Sequence, residues 1–363
     1  MVDVAGVAAR REAVARGLLR EQPRALDCMG GHRSTAGVAA ALLALVCAGC
    51  PADETEHAVW EKTFERLDGA LLSVWGTAAD DVITVGSDPG DGPLVLQYDG
   101  SGWSKLATGA SGDLWWVTIH GDHAWMCGDG GTILRLDRTT GMFESFPPVT
   151  TERLYGIYAF ADDDVWAVGG TPEDQTAVVL RFDGTAWSQV MLGAEITDAL
   201  VFFKVFGNAP DDVWIVGLGG AAIHFDGNTY ERIDVPLGRP LFTVHGNGDE
   251  ILAVGGVESG HIVAADGKQL VNDTPSGVVP QFNGVWVEPD GHAVAAGIGG
   301  AVWQREDGQW AELDAPPKLL ADLHSTYVDP DGGVWAVGGF ILTEPLHDGV
   351  MVHYGPSIGQ GAL

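Results

Sequence analysis

The chain has 363 residues with 52 Gly, 13 Trp and a formal charge of −31. Phosphate binding depends on clustered Lys and Arg, so this acidity excludes nucleic acid and anionic lipid surfaces as natural partners and leaves solubility or a cationic partner. A hydrophobic content of 46% excludes disorder, and the high Gly and Trp among short apolar runs point to an all-β protein rich in turns.

The first element in chain order is an uncharged apolar run at 34–46, STAGVAAALLALV. It is too short to span a bilayer and suits the core of a secretory signal. Cys47-Ala48-Gly49-Cys50 follows, and the chain then turns polar at Pro51-Ala52-Asp53-Glu54. Small residues before a cysteine resemble the lipobox of bacterial lipoproteins. That resemblance implies a lipid (palmitate-type acylation) on Cys50 and export to the cell envelope, periplasmic or cell-surface. Cys47 departs from the pattern, which usually carries Leu there. Met29 opens a compact version of the signal with Arg33 as its positive residue, so Met29 is the expected start. The alternative is a soluble protein with an apolar N-terminal helix.

The expected organisation is a leader over 1–49, a short tether over 50–57, a repeat body over 58–355 and a tail over 356–363. The leader carries six Arg and four acids, so its removal leaves a net charge of −33. Cys28, Cys47 and Cys50 precede the body. Cys127, within the apolar run Ala124-Trp125-Met126-Cys127-Gly128, is expected as a buried free thiol.

The body is built from one repeating phrase: an acidic turn, four apolar residues, then Gly. It reads DDVITVG to Gly86, DHAWMCG to Gly128, DDVWAVG to Gly169 and DDVWIVG to Gly217, then DEILAVG to Gly255, GHAVAAG to Gly297 and GGVWAVG to Gly338. The glycines recur at intervals of about 40 residues, the length of a four-stranded propeller blade. Each unit supplies a short first strand, this apolar second strand, a third strand such as VLQYDG or VVLRFDG, and a more polar fourth strand such as GWSKLA or AWSQVM. The seventh unit stops after its third strand, at Tyr354-Gly355. Val59–Phe64 matches the fourth-strand pattern, so an N-terminal strand is expected to complete the last blade. The fold class is therefore all-β: a seven-bladed β-propeller of four-stranded blades.

The DDVWAVG strand and the Gly-x-Gly-Gly turns at Gly217–Ile223 and Gly297–Val302 resemble bacterial propellers of the photosystem-assembly-factor, BNR-like and YVTN-like types. The likeness covers roughly 58–355 and implies architecture rather than activity. The Ser-x-Asp-x-Gly-x-x-Trp box of sialidases is absent from every unit.

Blade topology puts the first and third turns of each unit at one end of the ring. Asp80, Asp122, Asp163, Asp211, Asp249, Asp290 and Asp331 occupy the first turns; Asp99, Asp137, Asp183, Asp226, Asp266 and Asp307 occupy third turns. Asp and Gly favour such turns for structural reasons. The alternative is a Ca²⁺-binding face, although calcium loops concentrate more oxygens than these turns offer.

The opposite end carries the irregular loops Ser87–Pro93, Gly170–Ala177, Val257–Gly260 and Phe340–Gly349, and there recognition is expected. Candidate ligand-binding residues are Trp115, Arg153, Arg239, Glu344 and His347, with Lys318 nearby. Ser73, Thr118, Gly156, Lys204, Thr243, Gly284 and Ser325 are expected as the innermost column. Lys204 is the large exception, a candidate for holding an anion in the axial channel or for pairing with an acid. His120, Tyr158, Phe206, His245, Trp286 and Tyr327 are expected as blade packing.

No catalytic constellation stands out, since the body's eight arginines are scattered and its carboxylates sit at turns. The expected function is a non-catalytic, envelope-anchored propeller that binds a protein or polysaccharide, as a monomer and without a cofactor. The alternatives are a glycan-acting hydrolase or lyase on a propeller scaffold, and a calcium-stabilised surface adhesin.

Overall fold

A computed structural model describes residues 58–172, 176–193, 196, 201–313, 318–358, 361 and 363. Cys50, Met29 and the whole leader and tether lie outside the described residues. Among the described residues no helix is long and apolar enough to cross a membrane.

The body forms seven antiparallel four-stranded sheets. The first strands of the blades are Leu71–Ala78, Leu114–His120, Leu154–Ala161, Phe202–Ala209, Leu241–Asn247, Phe282–Val287 and Asp322–Val328. Each lies beside the first strand of the next blade, and the seventh lies beside the first, so the ring is closed. The last sheet is completed by the N-terminal strand Val59–Leu67, which pairs antiparallel with His347–Gly355 from Val59↔Gly355 to Leu67↔Gly349. Sharing one sheet between the two ends of the chain covers an edge that would otherwise be open.

The glycine that punctuates every repeat has a steric cause. Each blade has a bulge at the start of its first strand, as where Leu71 faces Gly86 but Ser73 already faces Val85. The same shift occurs in the other six blades. The bulge brings the carbonyl preceding the strand onto the glycine: a Cβ on Gly86 would lie 2.0 Å from the Ala70 carbonyl oxygen, and one on Gly338 would lie 1.8 Å from that of Asp322. Only a residue without Cβ tolerates that approach.

The second strands are buried on both faces, as their near-continuous apolar runs require. Their packing fills the spaces between blades: Trp125, Cys127 and Ile133 of blade 2 meet Leu154, Ile157 and Val165 of blade 3. The repeated Trp of these strands is covered by a polar third-strand partner. Arg135 stacks over Trp125 at 5.2 Å and Arg181 over Trp166 at 4.9 Å. His224 lies 4.5 Å from Trp214, and His353 lies 4.1 Å from Trp335. Two of the arginines are thereby structural, which accounts for their scatter. Cys127 is a buried free thiol, and burial pushes its proton affinity up.

Candidate functional site

At the loop end, three of the candidate residues come together. Trp115 opens the inner strand of blade 2, Arg153 precedes that of blade 3, and Glu344 lies in the 340–349 loop of blade 7. The Arg153 guanidinium lies over the Trp115 ring at 5.0 Å, donates from Nε to Asp129 Oδ1 at 2.6 Å, and donates from Nη2 to Glu344 Oε1 at 2.9 Å. Trp115 Nε1 donates to the same Asp129 oxygen at 3.1 Å. Burial works against the charge on Arg153, but Asp129 and Glu344 outweigh it and hold the guanidinium firmly protonated. Ile341 and Trp115 pack with Leu72 and Leu346, so the blade 7 loop is seated against the ring. A cleft of about 470 Å³ lined by Asp129, Arg153, Thr171 and Glu344 remains beside this cluster.

The remaining loop-end candidates do not join it. Arg239 donates to Ser259 Oγ at 2.7 Å on blade 5. His347 is exposed, stacks on Phe340 with centroids 5.1 Å apart, and lies 3.1 Å from Asp348. Lys318 is exposed at the entry to blade 7. Trp115 is half-buried beneath Arg153 and edge-on to Tyr155, so it offers no open platform to a sugar.

The inner column differs from expectation in blade 2. Pairing places Trp116, not Thr118, opposite Cys127, where Ser73 stands opposite Val85. Blade 2 pairs its first hairpin in the register of blade 5, where Thr243 stands opposite Val254 and Asn247 opposite Glu250, so Trp116 occupies the column and Thr118 lies two residues beyond it. His120 accordingly sits at the turn instead of in the aromatic layer. Lys204 is buried and, among the described residues, has no acid partner: Nζ lies 4.2 Å from the Trp116 centroid and donates to the Tyr155 carbonyl at 2.8 Å. Gly156 permits this, since a Cβ there would fall 2.9 Å from Lys204 Cα. Burial lowers the Lys204 pKa to about 7. His324 donates from Nδ1 to the Leu72 carbonyl nearby, and burial, then Lys204, lowers its pKa to about 3.

A second concavity is at the other end. A funnel of about 670 Å³ opens on the ring axis among the first turns. Its floor is the layer Trp75, Tyr158, Phe206, His245, Trp286 and Tyr327, one ring from every blade except blade 2, where the equivalent residue is Thr118. The rings brace one another across the axis: Trp75 meets Trp286 at 4.8 Å and Tyr158 at 6.2 Å. His245 stacks on Trp286 at 4.1 Å, and Tyr327 stands edge-on to it at 4.8 Å. The Val287 amide donates to His245 Nδ1 at 3.0 Å, and burial lowers the imidazole pKa to about 3, so it is neutral. Thr77, Asn208, Asn247, Glu288 and Asp329 supply the polar wall. Residues expected only to pack thus also form a floor, of which Trp75, Tyr158 and Trp286 remain half-buried.

All seven first-turn aspartates are exposed around this funnel end. The third-turn aspartates of blades 1 to 4 are committed to their own turns. Asp99, Asp137, Asp183 and Asp226 each accept backbone amides from two and three residues ahead. For a metal, the described residues bring one group together: the donor atoms of Glu288, Asp290 and His292, in the first turn of blade 6, lie within 4.8 Å of one another. Among the described residues, Arg181 pairs with Asp164 within blade 3, and Arg305 of blade 6 pairs with Glu250 and Asp273 of blade 5.

No family model matches the chain, and no curated protein matches it. Solved structures do. YCF48 from Cyanidioschyzon merolae superposes with a TM-score of 0.63 at 15% identity, covering 82% of this chain and 99% of that one. The WD40 repeats of RRP9 give a TM-score of 0.64 at 10% identity, covering 82% and 97%. A structure of YCF48 bound to D1 peptide gives 0.59 at 14% identity, covering 84% and 96%. These similarities establish the propeller fold shared with photosystem assembly factors and WD40 domains.

Proposed function

We propose that the chain is a non-catalytic binding scaffold that reads a segment of a partner protein in the axial funnel. The observation that carries this reading is the funnel itself: a wide, largely apolar concavity walled by fixed aromatic rings, with a few polar groups at its rim. Such a surface fits recognition of a side chain or short segment. It does not group a nucleophile with a base: Thr77 bonds to Asp81, His245 is spent on the Val287 amide, and Asp329 accepts the amides of Asp331 and Gly333 and the Trp335 indole. The loop end is the weaker choice, because Arg153, Asp129, Trp115 and Glu344 satisfy one another. The D1 peptide on YCF48 is a precedent for peptide binding on this fold.

Attachment through a lipid on Cys50 is part of the same proposal. The ring's N-terminal strand begins at Val59 beside Gly355, at the turn end. A lipid on Cys50, nine residues before that strand, would keep the ring at the envelope. The test is to cross-link intact cells producing the tagged full chain and its Trp286→Leu variant. A stoichiometric protein partner lost from the variant supports the scaffold. A partner retained by that variant but lost when 340–349 is replaced moves the working face to the loop end. An unlipidated protein in the cytoplasm removes the envelope part alone.

A further inference from the structure

The funnel's chemistry narrows what it takes. Its floor presents six aromatic rings, several of them set at large angles: 76° between Trp75 and Trp286, 60° between Trp75 and Tyr158, and 89° between Trp286 and Tyr327. A group seated there meets ring faces and ring edges together, as a compact rounded head would require. Among the described residues no Lys or Arg lines the funnel, whereas Glu288 and Asp329 do. The imidazole in the floor is neutral, so it adds no positive charge. The Glu288 and Asp290 carboxylates lie within 4.8 Å of one another, and Asp329 lines the same wall. That crowding of negative charge would be relieved by a cation. Lys204 lies beneath the rings with Nζ turned to the Tyr155 carbonyl and Trp116, away from the funnel's polar wall. Ring quadrupoles attract cations, and Trp does so best. A chain carrying −31 charges steers cations toward the funnel and disfavours carboxylate or phosphate ligands.

We propose that the axial funnel is a binding site for an alkylammonium group, seated on Trp75, Tyr158 and Trp286 inside an acidic rim. This rests on the funnel being the recognition site and specifies the chemistry it recognises. The group can belong to a lysine side chain of a partner segment or to a free quaternary amine, since both carry one positive charge on nitrogen at the end of an alkyl stem, the first as –NH3+ and the second clad in alkyl groups.

The experiment is a titration of the folded full chain by calorimetry and tryptophan fluorescence. The probes are choline, its neutral isostere 3,3-dimethylbutan-1-ol, and N-acetyl-lysine methylamide. Choline or the lysine amide is expected to bind at least tenfold more tightly than the neutral alcohol, with affinity falling as salt is raised. The tighter of the two cations identifies the source. Trp286→Leu, which keeps an apolar floor but removes one of its two indoles, is expected to erase the preference for charge. Trp75→Leu serves the same purpose should the first variant not fold. Equal binding of the neutral alcohol overturns the ammonium assignment and leaves the funnel as an apolar ligand site. No binding by any probe overturns the assignment too, while the cross-linking result with the funnel variant decides separately whether the scaffold reading survives.

Discussion

Lys204 of blade 4 reaches past Gly156 of blade 3 to rest its ammonium 4.2 Å from the Trp116 ring of blade 2. The contact spans three blades and supplies a cation–π partner and one carbonyl, with no counter-charge among the described residues. Replacing a buried charge by an apolar side chain of similar length is often neutral or stabilising by about 1–4 kcal/mol. Lys204→Met is therefore expected to be at least as stable as the parent at neutral pH. The sign with pH is definite. The folded pKa is about 7, below the unfolded value of roughly 10.4. The unfolded state binds more protons between those values, so stability of the parent rises with pH across that window. Urea denaturation at several pH values should show the advantage of Lys204→Met shrinking as pH rises. A variant less stable than the parent throughout would mean that the ammonium is a net stabiliser.

This contact also shows where the sequence misleads. The repeat period, the closing strand and the second strands follow from spacing and apolar runs, because the bulge forces a glycine into every copy. Register inside a blade is harder. Thr243 lies twelve residues before Gly255, and counting twelve back from Gly128 lands on Trp116. Expecting small residues at the centre instead selects Thr118. The column is thus set by the spacing to the glycine and not by side-chain size. The funnel is hidden for a related reason: Trp75 and Trp286 look like ordinary packing residues, and only closure of the ring gathers them on one axis. The cluster at Arg153 was legible as loop-end polar residues, but its partner Asp129 sits in a Gly-rich turn that carries no signal of its own.

The Arg153–Glu344 pair joins residues 191 apart in sequence, and Glu344 is 63% exposed. Exposed ion pairs contribute about 0–1 kcal/mol, so Glu344→Gln is expected to change global stability little. Arg153→Ala removes more, since Asp129 loses its cation and Trp115 its cover. Hydrogen exchange should separate the two. Both variants are expected to speed exchange in 340–349, and only Arg153→Ala should also do so in 113–115. No change in the loop with either variant would show that Ile341 and Leu346 alone seat it.

The third-turn aspartates make an acid-sensitive set. The hydroxyl of Thr139, then the backbone amide of Thr140, hold the Asp137 carboxyl at about 2; Asp99, Asp183 and Asp226 are also lowered, by Ser101, Ala186 and Thr229 respectively. Because the folded values lie below the unfolded one, their contribution is present above about pH 3.9 and is lost as pH falls through the folded values. Asp137→Asn keeps the turn and removes the titration. Its stability relative to the parent should improve as pH drops from about 4 toward 2, as read by thermal unfolding at each pH. A constant difference across that range would show that the turn gains nothing from the charge.

The same hydrogen bonds bear on calcium. A carboxylate oxygen already accepting two amides is poorly placed to join six to eight oxygens around an ion. We expect EDTA to leave the melting temperature unchanged and added Ca²⁺ to leave it unchanged as well. The mixed donors Glu288, Asp290 and His292 suit a metal that accepts nitrogen, such as Zn²⁺. A rise with Zn²⁺ that His292→Ala abolishes would locate an ion at that hairpin. A fall with EDTA that Ca²⁺ reverses would instead support the calcium-stabilised adhesin.

Ring closure gives the largest expected effect. Phe64 of the N-terminal strand is 4% exposed, edge-on to Trp103 of blade 1 at 5.2 Å, and packed with Leu71, Trp335 and Met351. It therefore ties the last blade to the first as well as completing the last sheet. Phe64→Ala is expected to cost about 3–5 kcal/mol, the range for emptying a buried aromatic site. Deleting 58–67 goes further, because it uncovers the backbone of His347–Gly355, a nine-residue strand whose Val350, Met351 and Val352 are buried. A long apolar edge of this kind pairs with other chains. The truncated protein should melt at lower temperature and elute as oligomers in size-exclusion chromatography with light scattering. A monomer of unchanged melting temperature would mean that blade-to-blade packing alone closes the ring. The shared sheet would then be incidental, and the seven inner strands would already hold the funnel's rings in place.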